Sequence, residues 1–250
     1  MLIVNADDWG YDLSTTEAIA RAFQAGRITS ATAMIFMRDS ERAAPLASRE
    51  SMPVGLHLNL MEAYSATDIP EEARVRQQQV VAAFRASQRC RWLPSRKLSS
   101  LVQRCVADQL NGFAQLYATA PTHIDGHQHG HLSTPVLRAL SRDRRRAVRS
   151  SFTFRAGEKS LLNRALRFAL NNQINARFRS TRKFYSIRTL HPRLGGYGLE
   201  DALAEAHVQD VEIMVHPGWS DELELLMSDQ WRTLLAGVPL GSFRDLPSSP

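Results

Sequence analysis

The sequence predicts an α/β fold: a distorted (β/α) TIM-like barrel, one domain over residues 1–250, with an insertion after the third strand. Three observations carry this. Short apolar runs alternate with helical stretches, as in the strand–helix units of a parallel sheet. About seven such units fit the chain, which suits an incomplete or distorted barrel better than an open doubly wound sheet. Polar residues gather where the runs end, the side on which barrel enzymes build their sites.

The elements follow in order. Leu2-Ile3-Val4-Asn5-Ala6 is an apolar run ending on acids and reads as a buried strand. Ser14-Thr15-Thr16-Glu17 has the form of a capping box opening a helix over 18–25, with Gly26 where a C-terminal glycine belongs. A second strand is expected over 31–36, a helix weakened by Pro45 over 40–48, and a third strand over 54–60. From 61 to 94 the pattern blurs, and Tyr64, Ile69-Pro70 and a glutamine run at 77–79 suggest a partly helical insertion. A helix over 99–118 precedes a strand over 121–125, and Pro135 sits in the first turn of the next helix. Helix 161–170, strand 184–187, helix 199–207 and strand 211–215 complete the series, the last closed by His216-Pro217-Gly218.

Composition excludes whole classes. Hydrophobic residues are 44% and charged residues 22%, an ordinary globular balance that rules out wholesale disorder, collagen and coiled coil. No apolar run approaches the roughly 20 residues that span a bilayer. The N-terminus turns acidic at Asp7 with no basic stretch before it, so no signal peptide is expected. Cys90 and Cys105 cannot build a disulfide framework or a four-thiolate zinc site and are expected to be inert. These features point to a protein of a reducing compartment, the cytoplasm.

The net charge of +6 is unevenly spread: +1 over residues 1–140, +13 over 141–193 and −8 over 194–250. The basic block could grip phosphates. Pairing with the acidic segment, across the fold or across a homodimer interface, is the expected use, so a nucleic-acid partner is not. Residues 142–149 are read as a solvated, arginine-rich helix end.

The chemistry concentrates at strand ends. Asp7 and Asp8 end the first strand, His57 lies late in the third, and His123, Asp125, His127, His129 and His131 crowd the end of strand 121–125. His216 ends the last strand. Four histidines and an aspartate at every second position are hard to explain as packing. In a parallel barrel these segments meet at one mouth. Two imidazoles and one carboxylate with open positions bind a divalent ion such as zinc, which can activate water. Of two adjacent acids, one can ligate while the other acts as base, because successive side chains on a strand diverge. His216, on a separate strand, can protonate a leaving group. Trp9, Tyr64 and Trp219 would ordinarily be core or surface aromatics, but near the mouth they could stack on sugar rings.

Four blocks, Asn5-Ala6-Asp7-Asp8-Trp9-Gly10, Gly55-Leu56-His57-Leu58-Asn59-Leu60, Thr122 through His131, and Val215-His216-Pro217-Gly218, occur in this order. Together they resemble the YdjC-like carbohydrate deacetylases, which include the chitooligosaccharide deacetylases. The resemblance implies a distorted (β/α) barrel that removes the acetyl group from an N-acetylated saccharide. It implies one divalent ion, Mg2+ or Zn2+, held by Asp8, His57 and His127, with Asp7 as general base and His216 as acid. Asp125 and His129 would stand behind the ligands or touch substrate, as would Trp9 and Trp219; Trp9 replaces a usual phenylalanine. Alternatives from the residues themselves are hydrolysis of another glycoconjugate or a phosphate ester, and an anionic-polymer binder with a structural metal.

Overall fold

Each strand alternates between two environments. In β1 (Leu2–Trp9), Leu2, Val4 and Ala6 enter the main apolar core, while Ile3, Asn5 and Asp7 face the other way. In β2 (Ser30–Ala33), Ala31 and Ala33 are core and Ser30 and Thr32 are not. In β3 (Val54–Leu58), Val54, Leu56 and Leu58 are core, leaving Gly55 and His57 opposite. β4 (Ile124–Gly126) and β5 (Lys183–Ser186) are short, and β6 (Val211–Val215) sends Val211, Ile213 and Val215 into the core, Glu212 and Met214 away. Such alternation ordinarily marks a sheet with one wet face. Here Asn5, Asp7, Ser30, Thr32, His57, Asp125 and Glu212 are all buried, because the sheet curls around them.

A computed structural model describes residues 1–141, 146–155 and 157–247. Its six strands form one parallel sheet in the order β4-β3-β2-β1-β6-β5. The helices are α1 (Leu13–Gln24), α2 (Ser40–Arg49), α3 (Glu71–Ala86), α4 (Arg89–Trp92), α5 (Arg96–Tyr117), α6 (Thr134–Leu140), α7 (Leu161–Asn175), α8 (Ile187–Leu190), α9 (Leu199–Glu205), α10 (Ser220–Met227) and α11 (Asp229–Leu235). Where the sequence suggests about seven units and a barrel, this single α/β domain has six strands in a curled half-barrel. Residues 146–153 run between its two edges. The amides of Ile124 and Arg149 bond the carbonyls of Ala147 and Ile124, and the Thr153 amide bonds the Phe184 carbonyl on β5.

Several local expectations shift. Helix α1 begins at Leu13, before the proposed capping box, because the Asp12 carboxylate accepts the Thr15 amide at 2.8 Å. Gly26 does sit just past its end with φ of +66°. Pro45 lies inside α2 without ending it. Residues 142–145 lie outside the described residues, but 146–149 are no solvated helix end: Val148 bridges β4, and Arg149 is fully buried. The expected charge pairing is present within the chain. Arg149, Arg155, Arg188 and Arg193 pair with Glu212, Asp201, Asp221 and Glu224 of the acidic segment.

Candidate active site

Parallel strands bring the C-terminal ends of β1, β3, β4 and β6 to one rim. There a cavity of about 490 Å³ is lined by Asp7, Asp8, His57, His127, His129, His216 and Trp219, together with Tyr11, Thr15 and Glu62. Both acids of the Asp7-Asp8 pair reach it because Asp8 adopts a left-handed backbone, φ +72°, at a register break between β1 and β2. That conformation costs a non-glycine residue on the order of 1–3 kcal/mol, although aspartate tolerates it better than most. Gln128 and His129 are left-handed too, φ +49° and +56°. This pair turns the chain just after His127, which follows directly on β4 and lines the cavity.

Register explains the pairing of His57 with Asp125. They are opposed on β3 and β4, so their side chains share a face, and His57 Nδ1 lies 2.7 Å from Asp125 Oδ1. The Nδ1 proton is thereby committed to Asp125, leaving Nε2 toward the cavity, 3.3 Å from Asp8 Oδ1. Asp8 Oδ1 is also 3.1 Å from His127 Nδ1, and His127 Nε2 is 3.2 Å from Glu62 Oε1. Burial alone would disfavour a charged imidazole, but Asp125, Asp7 and Asp8 outweigh it and lift His57 to about 9. Asp8 is held below the usual carboxylate range, His127 and His57 overcoming its burial.

Donor atoms of Asp8, His57 and His127 all lie within 4.8 Å of one another. One carboxylate and two imidazoles at a strained, concave rim fit a divalent ion. Asp7, His57 and Asp125 form a second such group, deeper and wholly buried. There the cation is already a guanidinium. Arg149 donates to both Asp7 oxygens at 2.7 Å, lies 2.6 Å from Asp125 Oδ2, and donates to Glu212 Oε1 at 2.8 Å. Although burial opposes ionisation, Arg149 and His57 hold Asp7 well below the usual carboxylate range. Burial instead pushes Glu212 up to about 7 in spite of Arg149.

At the opposite wall His216 stacks on Trp219, centroids 4.5 Å apart, and the Arg188 guanidinium lies 4.5 Å over the same indole. Glu222 Oε2 accepts the His216 amide at 2.6 Å and stands 4.0 Å from its Nδ1, while Arg188 Nε is 2.8 Å from Glu222 Oε1. Burial keeps His216 below the ordinary imidazole value, against the pull of Asp7 and Asp8.

Not every expected residue is here. Trp9 is 1% exposed and belongs to the apolar core, so it has no face for a sugar. Beyond the register break its side chain falls on the helix side of the sheet. Tyr64 is buried with Met34 and Met37. His123 is stacked on Phe243 at 3.7 Å, one layer below Asp125, and His131 is buried with Nε2 3.2 Å from the Arg149 carbonyl. Asp125 is buried behind His57, whereas His129 lines the cavity against Phe152. Burial, aided by Arg149, lowers His129 to about 3, so it is neutral. Trp219 is half-exposed at the rim.

Sequence reasoning missed Arg149, Glu62, Glu212 and Glu222. Glu212 carried a signal, a lone acid in the apolar run Val211 to Val215. Glu222 lies in the first turn of α10, six residues after His216. Arg149 looked like any arginine of a basic block.

A parallel α/β half-barrel with an acid–imidazole cluster at its C-terminal rim has that cluster where enzymes of this architecture build their active sites. The sequence matches the family described as YdjC-like protein over residues 1–237, and the chain belongs to that family. A mouse protein named carbohydrate deacetylase is 30% identical, covering 87% of this chain and 78% of its own length. A chitooligosaccharide deacetylase of Yersinia enterocolitica is 28% identical over 98% of both. A crystal structure from Enterococcus faecalis, described as a candidate cellobiose-phosphate cleavage protein, superposes with a TM-score of 0.69 at 19% identity over 97% of each chain, a likeness of fold.

Proposed function

We propose that the protein is a metal-dependent carbohydrate N-deacetylase, hydrolysing the acetamido group of an N-acetylated sugar to acetate and an amine. Its family and the names of its relatives support the reaction class. The observation that carries the reading is the convergence of Asp8, His57 and His127 beside Asp7 and His216 in one cavity. Asp8, His57 and His127 would hold a divalent ion, whose Lewis acidity would polarise the carbonyl oxygen and acidify water. Two imidazoles among three donors favour zinc over magnesium.

The chain's own groups do the proton work. Asp125 fixes the His57 tautomer, and Glu62 does the same for His127. Arg149 keeps Asp7 ionised and aimed, at the expense of its basicity, so Asp7 suits a water already acidified. Asp7 takes the proton of the attacking water. His216, braced by Trp219 and Glu222 and neutral at rest because burial lowers it, would take up the proton that Asp7 removes from the water and pass it to the departing amine. Trp219 and Tyr11 offer ring surface and a hydroxyl to the sugar.

The test is acetate release from N-acetylated mono- and oligosaccharides, with and without chelator. Release that stops with chelator and returns with zinc is expected. Chelator-resistant release at an unchanged rate would overturn the metal assignment, and no release from any such sugar would overturn the substrate class.

A further inference from the structure

A second cavity, of about 580 Å³, lies between helix α7, the segment 152–154 and the start of β5, and it shares no lining residue with the active cavity. Its charge is one-sided. Arg164 and Arg167 reach it from α7, Arg182 and Lys183 from the start of β5, and no carboxylate lines it. None of the four cations has a carboxylate partner among the described residues. Elsewhere the arginines of this chain find one: Arg42, Arg76 and Arg193 meet carboxylates at 2.8, 3.0 and 2.8 Å.

Water alone does not satisfy this arrangement. Arg164, Arg167 and Lys183 are half-buried, and Arg164 Nε is shut off from solvent without an acceptor. An N–H held from water and left unbonded costs free energy, so such a group marks a place where an acceptor belongs. Burial with no anion to offset it also holds Arg167 below the ordinary guanidinium value. The amides of Arg182 and Lys183 both bond the Asp210 carbonyl, at 2.9 and 3.2 Å, which fixes the roots of those two side chains. The remaining wall is aromatic: Phe152 and Phe154 lie with ring centroids 5.9 Å apart, and Phe168 is largely exposed. Asn172, Asn175 and Gln209 add side-chain amides that bond nothing else among the described residues. Guanidinium groups match phosphoryl oxygens two at a time, and a phenyl face takes a flat ring. A lone inorganic phosphate would leave most of a cavity this size empty.

We propose that this cavity binds an organic phosphate of the nucleotide class, its phosphoryl oxygens on Arg164, Arg167, Arg182 and Lys183 and its flat ring against the phenylalanines. The experiment is calorimetric titration of the full chain with ADP, with inorganic pyrophosphate and with adenosine. ADP is expected to bind more tightly than either, and less tightly as salt is added. Arg164→Gln/Arg182→Gln should weaken ADP by at least about tenfold, the worth of one hydrogen bond to a charged group. Arg21→Gln, at an exposed position of α1, should not. Phe168→Ala should weaken ADP and leave pyrophosphate unchanged. These side chains hold no other in place, and melting curves check that the variants fold. No binding of ADP, or binding no tighter than that of pyrophosphate, overturns the proposal. So does ADP binding untouched by the double substitution, which would put the phosphate in the active cavity instead. A dimer in light scattering that the double substitution dissolves also overturns it, by assigning these cations to the acidic segment of a second copy.

Discussion

Asp7 and Asp8 are sequence neighbours with opposite electrostatic partners. Asp7 faces a guanidinium and Asp8 faces two imidazoles, a difference that fits the division into base and ligand proposed for them. Asp7→Asn is expected to keep metal affinity while lowering kcat by about 10²–10⁴-fold, the usual worth of a positioned base. Calorimetric titration with zinc beside acetate-release kinetics checks both halves. Arg149→Met removes the one cation shared by Asp7, Asp125 and Glu212, all buried. Breaking a buried pair on one side costs about 3–5 kcal/mol, which chemical denaturation would report. His57 yields the pH dependence. Lifted to about 9, it carries a proton at neutral pH in the metal-free protein, and that proton must leave before Nε2 can ligate. Apparent metal affinity is therefore expected to rise as pH climbs toward 9 and then level off. Titrations in buffers of different ionisation enthalpy should show at least one proton released per ion near pH 7, from His57 and in part from His127, which its hydrogen bond to Asp8 holds above the ordinary imidazole value against burial.

At the scale of elements, β3 and β4 act as a pair that sets ligand position. The His123 ring fills the space where Gly55 has no side chain, for a Cβ there would lie 2.5 Å from the ring. One layer above, the same two strands oppose His57 and Asp125. Gly55→Ala is expected to force the strands apart, costing roughly 1–3 kcal/mol as overpacking does. Because His57 rides on β3, zinc affinity should fall with it, whereas an exposed control such as Val208→Ala should alter neither denaturation midpoint nor zinc binding. Elements also show where sequence reading succeeded. Strand β6 was legible to the residue because five apolar-patterned positions end on His216. The run from His123 to His131 is legible only in part: Asp125, His127 and His129 reach the site, but the period of two holds only as far as Gly126, and beyond it a 3-10 turn and two left-handed residues give each histidine its own direction, leaving His131 buried apart.

For the whole molecule, the three candidate ligands come from β1, β3 and the turn after β4, far apart in sequence. An ion joining them exists only in the folded state, so it must stabilise that state by mass action, by about 2.7 kcal/mol at a hundredfold excess over Kd. Thermal unfolding should accordingly shift upward with zinc and return with chelator; an unmoved Tm would count against the ligand set. The same long-range logic separates what each level determined. The linear sequence alone determined the parallel α/β pattern and the placing of Asp8, His57, His127 and His216 at strand ends, since both follow from local alternation and length. Tertiary structure alone decided that Arg149 neutralises the buried acids, that Glu62 and Glu222 brace two imidazoles, and that Trp9 is core. Those outcomes depend on sheet curl and on contacts such as Arg149 with Asp7, 142 residues apart, which no local pattern of side chains encodes.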